Sequence, residues 1–483
     1  MMKEKHFASM AGLLASIACA AAMLLILYVP SPVGVANNGD FLRVIHPAGI
    51  RYVDGNPNKD KFVQKFVMEF KGGTNFQKFQ SVFERDYGIY DYYTSQTYPV
   101  LASKAMNVVW NRILGQDENI FNVFFLALIY IAMTAAGIGL AVHFIWKRYG
   151  TALGVFSILV FLFVFCDQGY LLYLNSFYGE AMQYSATMLC VGLFLKLAER
   201  RSGPVLHILY WVCAIGMGLS KMAFAPTGML FAALPLLAHS GYKRLFVLIG
   251  SVASCVALLY CITQLSPSWI EEDTSYNTVF AGILRYSSNP EKDLQDLGLD
   301  PEYAALKGTE SYQTDYPIDI KTEEFKEGFF EKISKGKVLL FYLTHTTTLW
   351  KALQESMSYA KRIRPIHLAN TENPAEPHEQ SFRFSIWETL RLRSPMNNIP
   401  VFLVCCALIL ALAIQSKSLA LGGLITAIAA SAGINFVLPI MGNGICDIAK
   451  HMYGFITFYD MMLFILVGVA LKRGFFSRVQ KKG

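Results

Sequence analysis

Long apolar runs alternate with polar interruptions along the whole chain. Runs over 7–29, 119–146, 151–173, 181–197, 205–219, 222–239, 244–265, 398–414, 418–440 and 453–471 predict ten membrane-spanning helices, since about 20 apolar residues cross the hydrocarbon core. The run 205–219 is the shortest for a crossing. The segment 337–353, KVLLFYLTHTTTLWKAL, is also apolar but is interrupted by Thr344, His345 and three further threonines. It reads as an amphipathic helix lying on, or re-entering, the outer leaflet. That choice keeps the number of crossings even and both termini on one side. Two long polar segments, 30–118 and 266–397, lack the apolar periodicity of an independent globular domain. They are expected to pack as short amphipathic helices and loops over the outer membrane face. The pattern therefore predicts an all-α polytopic membrane protein. Its N-terminal transmembrane module is 1–265, its second outer loop region 266–397 and its C-terminal transmembrane module 398–483.

Composition agrees with this reading. The 483 residues are 54% hydrophobic and only 16% charged, against about 25% charged in soluble domains, and the mean hydropathy is +0.37. The first run is too long for a signal-peptide core, and YVPSPVGV offers no small-x-small cleavage site. It is read as a retained helix. Lys3, Lys5, Lys147, Arg148, Arg200, Arg201, Lys243, Arg244, Lys417, Lys472, Arg473, Arg478, Lys481 and Lys482 fall on one side of this topology. That side is assigned to the cytoplasm, and the net charge of +7 needs no nucleic-acid partner to explain it. Eight of the nine cysteines lie in apolar runs and only Cys446 in a polar loop, so neither a disulfide framework nor a metal motif is expected.

The topology brings the polar motifs to one outer face: NNGDFLRV after the first run, YLNSFYGEAM after the third, LSKMAFAP after the fifth and IMGNGICDIAKHMYGF before the last. Each has an ordinary reading as well. Asn38 and Asp40 suit a turn or helix cap, while Asn175, Tyr178 and Glu180 suit a hairpin with an interfacial tyrosine. Lys221 could reach outward to lipid headgroups. Asp447, Lys450 and His451, at i, i+3 and i+4, would share one helix face. A salt bridge accounts for two of those three groups but not for the third. Asp460 and His143 are the intramembrane ionisable residues, and such groups face a bundle interior or a wet cavity. One carboxylate among several cations can accept a proton from a hydroxyl and hold a phosphate. No P-loop, GxGxxG, HExxH or Ser-His-Asp pattern occurs.

The motifs NNGDFLRV, YLNSFYGE and GNGICDIAKHMYGFITFYDMM together resemble those of bacterial glycan-biosynthesis hexose transferases of the WsfD type, within the GT-C glycosyltransferases. The resemblance implies an inverting transferase of the bacterial plasma membrane, with an extracytoplasmic site. It would move sugar from a polyprenyl phosphate to an envelope glycan, polymer or lipid. By that pattern Asp40 is the catalytic base, and Lys450, His451, Lys221 and Arg43 are candidates for the donor phosphate. Asn38, Asn175, Tyr178, Glu180 and Asp447 would orient sugar or acceptor. A single acidic residue, rather than an adjacent pair, follows the first run, so no cofactor and no metal is expected. Two other classes compete. A lipid-linked saccharide flippase would need polar groups through the full membrane depth, and an envelope scaffold or sensor would use Asp40 only as a cap.

Overall fold

The computed structural model describes residues 2–53, 62, 64–70, 94–199, 202–238, 244–372 and 379–480. Arg200, Arg201, Lys243, Lys481 and Lys482, used above for orientation, lie outside the described residues, as does 71–93 of the polar segment 30–118.

The chain is mostly helical. Helices α1 (Met2–Tyr28), α2 (Phe124–Tyr149), α3 (Thr151–Val160), α4 (Gly179–Leu197), α5 (Pro204–Gly218), α6 (Ala225–Ala233), α7 (Arg244–Gln264), α8 (Ile399–Gln415), α9 (Leu419–Asn443) and α10 (Tyr453–Gln480) fall on the apolar runs. By length and hydropathy, five helices among the described residues can cross a bilayer: His6–Tyr28, α2, α7, α9 and Ile448–Gly474. A sixth is the broken pair Thr151–Phe165 and Gln168–Asn175, inclined at 62°. Helices α5 and α8 and the stretch Met222–Leu237 are apolar but shorter. The protein is thus a multi-pass membrane protein in which several expected spans are cut short, for local reasons.

The third run breaks because Asp167 ends it. Its carboxylate accepts the Gly169 amide at 2.8 Å, starting a new helix, and the Trp387 and Glu388 amides at 2.8 and 3.2 Å. The second run begins at Phe124 rather than 119 because Ile120–Asn122 pairs as a strand. Helix α4 is enclosed on nearly all sides, with Glu180, Gln183, Ser185 and Thr187 all fully buried. Close crossings explain its place at the centre. A methyl group on Gly137 would come within 2.3 Å of the Met188 carbonyl oxygen, so α2 and α4 touch backbone to backbone, as small residues permit in membranes. Helix α2 packs between α1 and α4, and α9 between α8 and α10.

The region before α2 departs from the all-α expectation. Strands β1 (Ile50–Arg51), β2 (Val67–Phe70) and β3 (Ile120–Asn122) form an antiparallel sheet, with Ile50 opposite Phe70 and Met68 opposite Phe121. Helix Thr97–Leu114 braces it with reversed polarity. Its buried side holds Ser103, Asn107 and Asn111, while Tyr98, Val109, Trp110 and Ile113 are at least half exposed. The Asn107 side chain accepts the Asn122 amide at 2.8 Å and donates to the Asn122 carbonyl at 3.2 Å, acting as an extra strand partner. Replacing Asn107 by Ala removes both part-buried hydrogen bonds to the Asn122 backbone. We expect a loss of about 1–3 kcal/mol, read as a lowered unfolding midpoint in detergent. An unchanged midpoint would show that water replaces the amide.

The segment 266–397 packs through aromatic rings rather than aliphatic periodicity. Phe280 and Phe329 have centroids 4.9 Å apart, and Tyr303 and Phe325 5.1 Å. The expected continuous amphipathic helix over 337–353 is instead two helices, Lys335–Thr344 and Thr346–Tyr359, broken at His345.

Two buried ion pairs hold this segment, one of them fastening it to the bundle and the other bracing it internally. Asp460, on α10, pairs with Arg391 and accepts the Tyr170 hydroxyl and the Trp387 indole N–H, each at 2.5 Å. Arg391 also donates to the Ala360 carbonyl at 2.8 Å and to Asn397 at 2.7 Å. Arg364 and Glu388 form a second pair at 2.7 Å, 1% and 2% exposed. Asp460 therefore has protein partners on both oxygens and acts as a structural clamp.

Candidate functional site

Asp40 lies in the turn that follows α1. The Asn37 side chain shapes this turn by accepting the Gly39 and Phe41 amides at 2.7 and 3.1 Å. Gly39, with φ 118°, supplies a backbone angle that a side chain would oppose. Far along the chain, α9 ends and a tight loop turns through Gly444 and Asp447, at φ 58° and 51°, into the short helix Ile448–His451. The two turns meet. Lys450 Nζ lies 2.6 Å from Asp40 Oδ2 and also pairs with Asp447. Asn38 donates to Asp447 at 2.8 Å, which binds the turns directly.

Tyr178, from the loop before α4, forms the floor. Its hydroxyl donates to the Ala36 carbonyl at 2.7 Å and accepts the Asn38 amide at 2.9 Å. Its ring centroid lies 5.0 Å from Lys450 Nζ, a cation–π arrangement. Arg43, one turn beyond Asp40, reaches its other oxygen at 3.2 Å and lies over the Trp269 ring at 5.2 Å. Beside this centre the fully buried Glu180 holds Lys221 at 2.6 Å.

Charge in the site is nearly balanced. Burial pushes the Asp40 carboxyl upward, but Arg43, Lys450 and Lys221 outweigh it and hold the group well below the usual carboxylate range. Asp447 follows the same logic: burial raises it, but Lys450, a hydrogen bond with His367, and His451 outweigh burial and hold it below the usual carboxylate range. Asp273 differs. Burial dominates there and pushes it up to about 6, against the pull of Arg43 and a hydrogen bond with Ser311. The Lys450 ammonium stands between Asp40 and Asp447, where a divalent cation would bridge paired carboxylates.

The sequence-predicted residues divide into three groups. Asp40, Arg43, Asn38, Tyr178, Asp447 and Lys450 converge in one hydrogen-bonded centre. Glu180 and Lys221 form the adjoining pair, and His451 faces Asn443 at 3.5 Å. Asn175 is used by the scaffold instead. It accepts the Tyr28 hydroxyl at 2.7 Å and donates to the Val33 carbonyl at 2.9 Å, so both ends of its amide are bonded to the scaffold. Of the expected phosphate ligands, Lys450 is only 2% exposed on its side chain and Lys221 13%, whereas Arg43 is 23% exposed. Sequence reasoning missed His367, which lies 3.6 Å from Asp447, and Trp269 and Asp273 around Arg43. All three come from 266–397, and the stretch SPSWIEEDTSYN, dense in aromatic and acidic residues, was the one available signal.

Fold and site together define a helical membrane protein that carries a buried carboxylate–lysine–carboxylate centre at one end of its bundle. More particularly, the chain belongs to the family of the YfdI N-terminal transmembrane domain, whose family model matches residues 1–483. No curated protein and no solved structure matches the chain.

One prediction belongs to this geometry. The Asp40 and Asp447 carboxyls are acidic in the folded state, so the stability of their contacts is present above the unfolded value of 3.8 and disappears as pH falls through the lower folded value. Lys450→Met removes the shared counter-charge and leaves two carboxylates facing each other. Both carboxyls then become less acidic, and the pH at which acid unfolds the protein moves up with them. Unfolding midpoints across a pH series check this, and an acid limb of stability at the wild-type position would refute control by Lys450.

Proposed function

We propose that the protein is a membrane glycosyltransferase of GT-C type, with ten crossings, both termini cytoplasmic and the Asp40 centre outside the bacterial plasma membrane. The observation that carries this reading is the junction of Asp40 with Lys450 and Asp447, 410 and 407 residues away in sequence. The Lys450–Asp40 contact is 2.6 Å. A structural cap would not need three ionised groups drawn from opposite ends of the chain. Membership in a transmembrane family associated with glycan transfer, and the motif likeness to WsfD-type hexose transferases, support the same class.

In this mechanism an acceptor hydroxyl attacks the anomeric carbon of a polyprenyl-phosphate sugar. The new C–O bond forms as the bond to phosphate breaks, and that electron pair leaves with the polyprenyl phosphate. Asp40 takes the hydroxyl proton. A single displacement inverts the anomeric centre. Arg43, against Asp40, and His367, against Asp447, would meet the phosphate. Lys450 keeps Asp40 ionised and aimed, a role different from direct phosphate binding.

The test uses purified protein in vesicles with polyprenyl-phosphate hexose and extracted envelope glycan. Hexose moved to the glycan supports the proposal. Donor equilibrated between leaflets without any transfer would replace it with the flippase reading.

A further inference from the structure

A second group of ligand-type side chains stands apart from the Asp40 centre. Asp293 and Asp296 lie three residues apart on the helix Pro290–Leu297, so their carboxylates share one face. His345 comes from the break between Lys335–Thr344 and Thr346–Tyr359. One oxygen of each carboxylate and one ring nitrogen of His345 lie within 4.8 Å of one another.

The imidazole is already oriented. Its Nδ1 is 3.1 Å from the Phe341 carbonyl oxygen. The Thr344 hydroxyl stands 3.0 Å from the same nitrogen. In the tautomer whose Nδ1 donates to the Phe341 carbonyl, which only accepts, Nε2 carries the lone pair. The ring lies flat on Phe341, with centroids 3.9 Å apart and planes inclined by 5°. These contacts aim Nε2 at Asp296, 3.3 Å away. In that tautomer the lone pair faces the carboxylate, and a proton or a cation between them relieves the repulsion.

Asp293 decides between the two. It is 9% exposed, yet among the described residues its carboxylate has no hydrogen-bond or ion-pair partner. A single proton on His345 satisfies Asp296 and leaves Asp293, 9% exposed, to share that one positive charge from a distance. Lys337 does not relieve it, because its ammonium donates to the Lys332 carbonyl at 2.8 Å.

We propose that Asp293, Asp296 and His345 Nε2 bind one divalent transition-metal cation of the Zn²⁺ class. An imidazole among the ligands favours such an ion over Ca²⁺ or Mg²⁺, which take oxygen ligands. The Phe341 carbonyl is the outer hydrogen-bond partner that metal-bound histidines use. Metal–ligand bonds of about 2.0–2.2 Å draw the three donor atoms closer, through rotation of the exposed Asp296. The cation would tie the helix Pro290–Leu297 to the junction at His345, far along the same polar segment. It leaves the Asp40 chemistry untouched.

The experiment titrates chelator-stripped, full-length protein in detergent with Zn²⁺ alone, reading metal per chain after dialysis and the thermal unfolding midpoint. Wild type is expected to retain one Zn²⁺ and to gain a higher midpoint. His345→Ala and Asp296→Asn, both at partly exposed positions, should bind it more than about tenfold more weakly and show no gain. Asp293→Asn should do the same if it folds. Wild type that holds no Zn²⁺ would overturn the proposal in favour of a protonated His345 paired with Asp296. So would Zn²⁺ that is retained by His345→Ala and lost on His367→Ala, since the ion would then belong to the Asp447 neighbourhood.

Discussion

Asp40→Asn should reduce hexose transfer by about 10²–10⁴-fold, the contribution of a positioned general base, with little change in folding. Asparagine keeps the shape of the turn and still offers an oxygen to Lys450. Lys450 keeps Asp447 as its counter-charge, so the buried ammonium is not left alone. Arg43 and Trp269 also remain in place. The variant therefore separates chemistry from architecture, and transfer assays in vesicles beside size-exclusion profiles read the two apart. Transfer within tenfold of wild type would remove Asp40 from the mechanism and return it to the role of a cap.

The largest stability effect is expected at the opposite kind of pair. Arg391→Met leaves the Asp460 carboxylate fully buried without its cation, and breaking a buried pair from one side costs about 3–5 kcal/mol. The double variant Arg391→Met with Asp460→Asn should recover much of that loss. A neutral amide still accepts from Tyr170 and Trp387 and leaves no uncompensated charge. Thermal midpoints in detergent measure both. A single variant that falls by less than about 1 kcal/mol, as an exposed pair does, would contradict the clamp. Recovery in the double variant would separate lost charge from lost packing.

These two carboxylates mark how far the sequence could be read. Hydropathy located the helices, because a bilayer imposes their length and apolarity on local sequence. It could not see that Asp167 breaks the third run, since its partners Trp387 and Glu388 lie 220 and 221 residues away. The Asp447–Lys450 pairing followed from helical spacing, although the left-handed Asp447 starts the helix rather than lying within it. The join between Asp40 and Lys450 was open until the two turns were seen together. Asp460 carried the same intramembrane signal whether it served chemistry or packing, and only its three partners distinguish them. Asn175 was ambiguous for a similar reason, because a turn-forming asparagine and a sugar-binding one look alike in one dimension, and only its bonds to Tyr28 and Val33 show its place in the scaffold. The reversed helix Thr97–Leu114 was hidden because Lys104 and Arg112 lower its apparent hydropathy.

That helix has a consequence for how the site is held. It grips β3 through Asn107, β3 presents Phe121 to Phe177 at 5.9 Å, and Phe177 and Tyr178 both pack on Phe41, the neighbour of Asp40. The outward row of Tyr98, Val109, Trp110 and Ile113 thus begins a chain of contacts that ends at the Asp40 carboxylate. An element whose apolar side no described residue covers takes its position from the surrounding medium. The geometry around Asp40 is in that sense completed by the solvent the helix rests in, and a change of lipid or detergent acts on this protein as a mutation of its scaffold would.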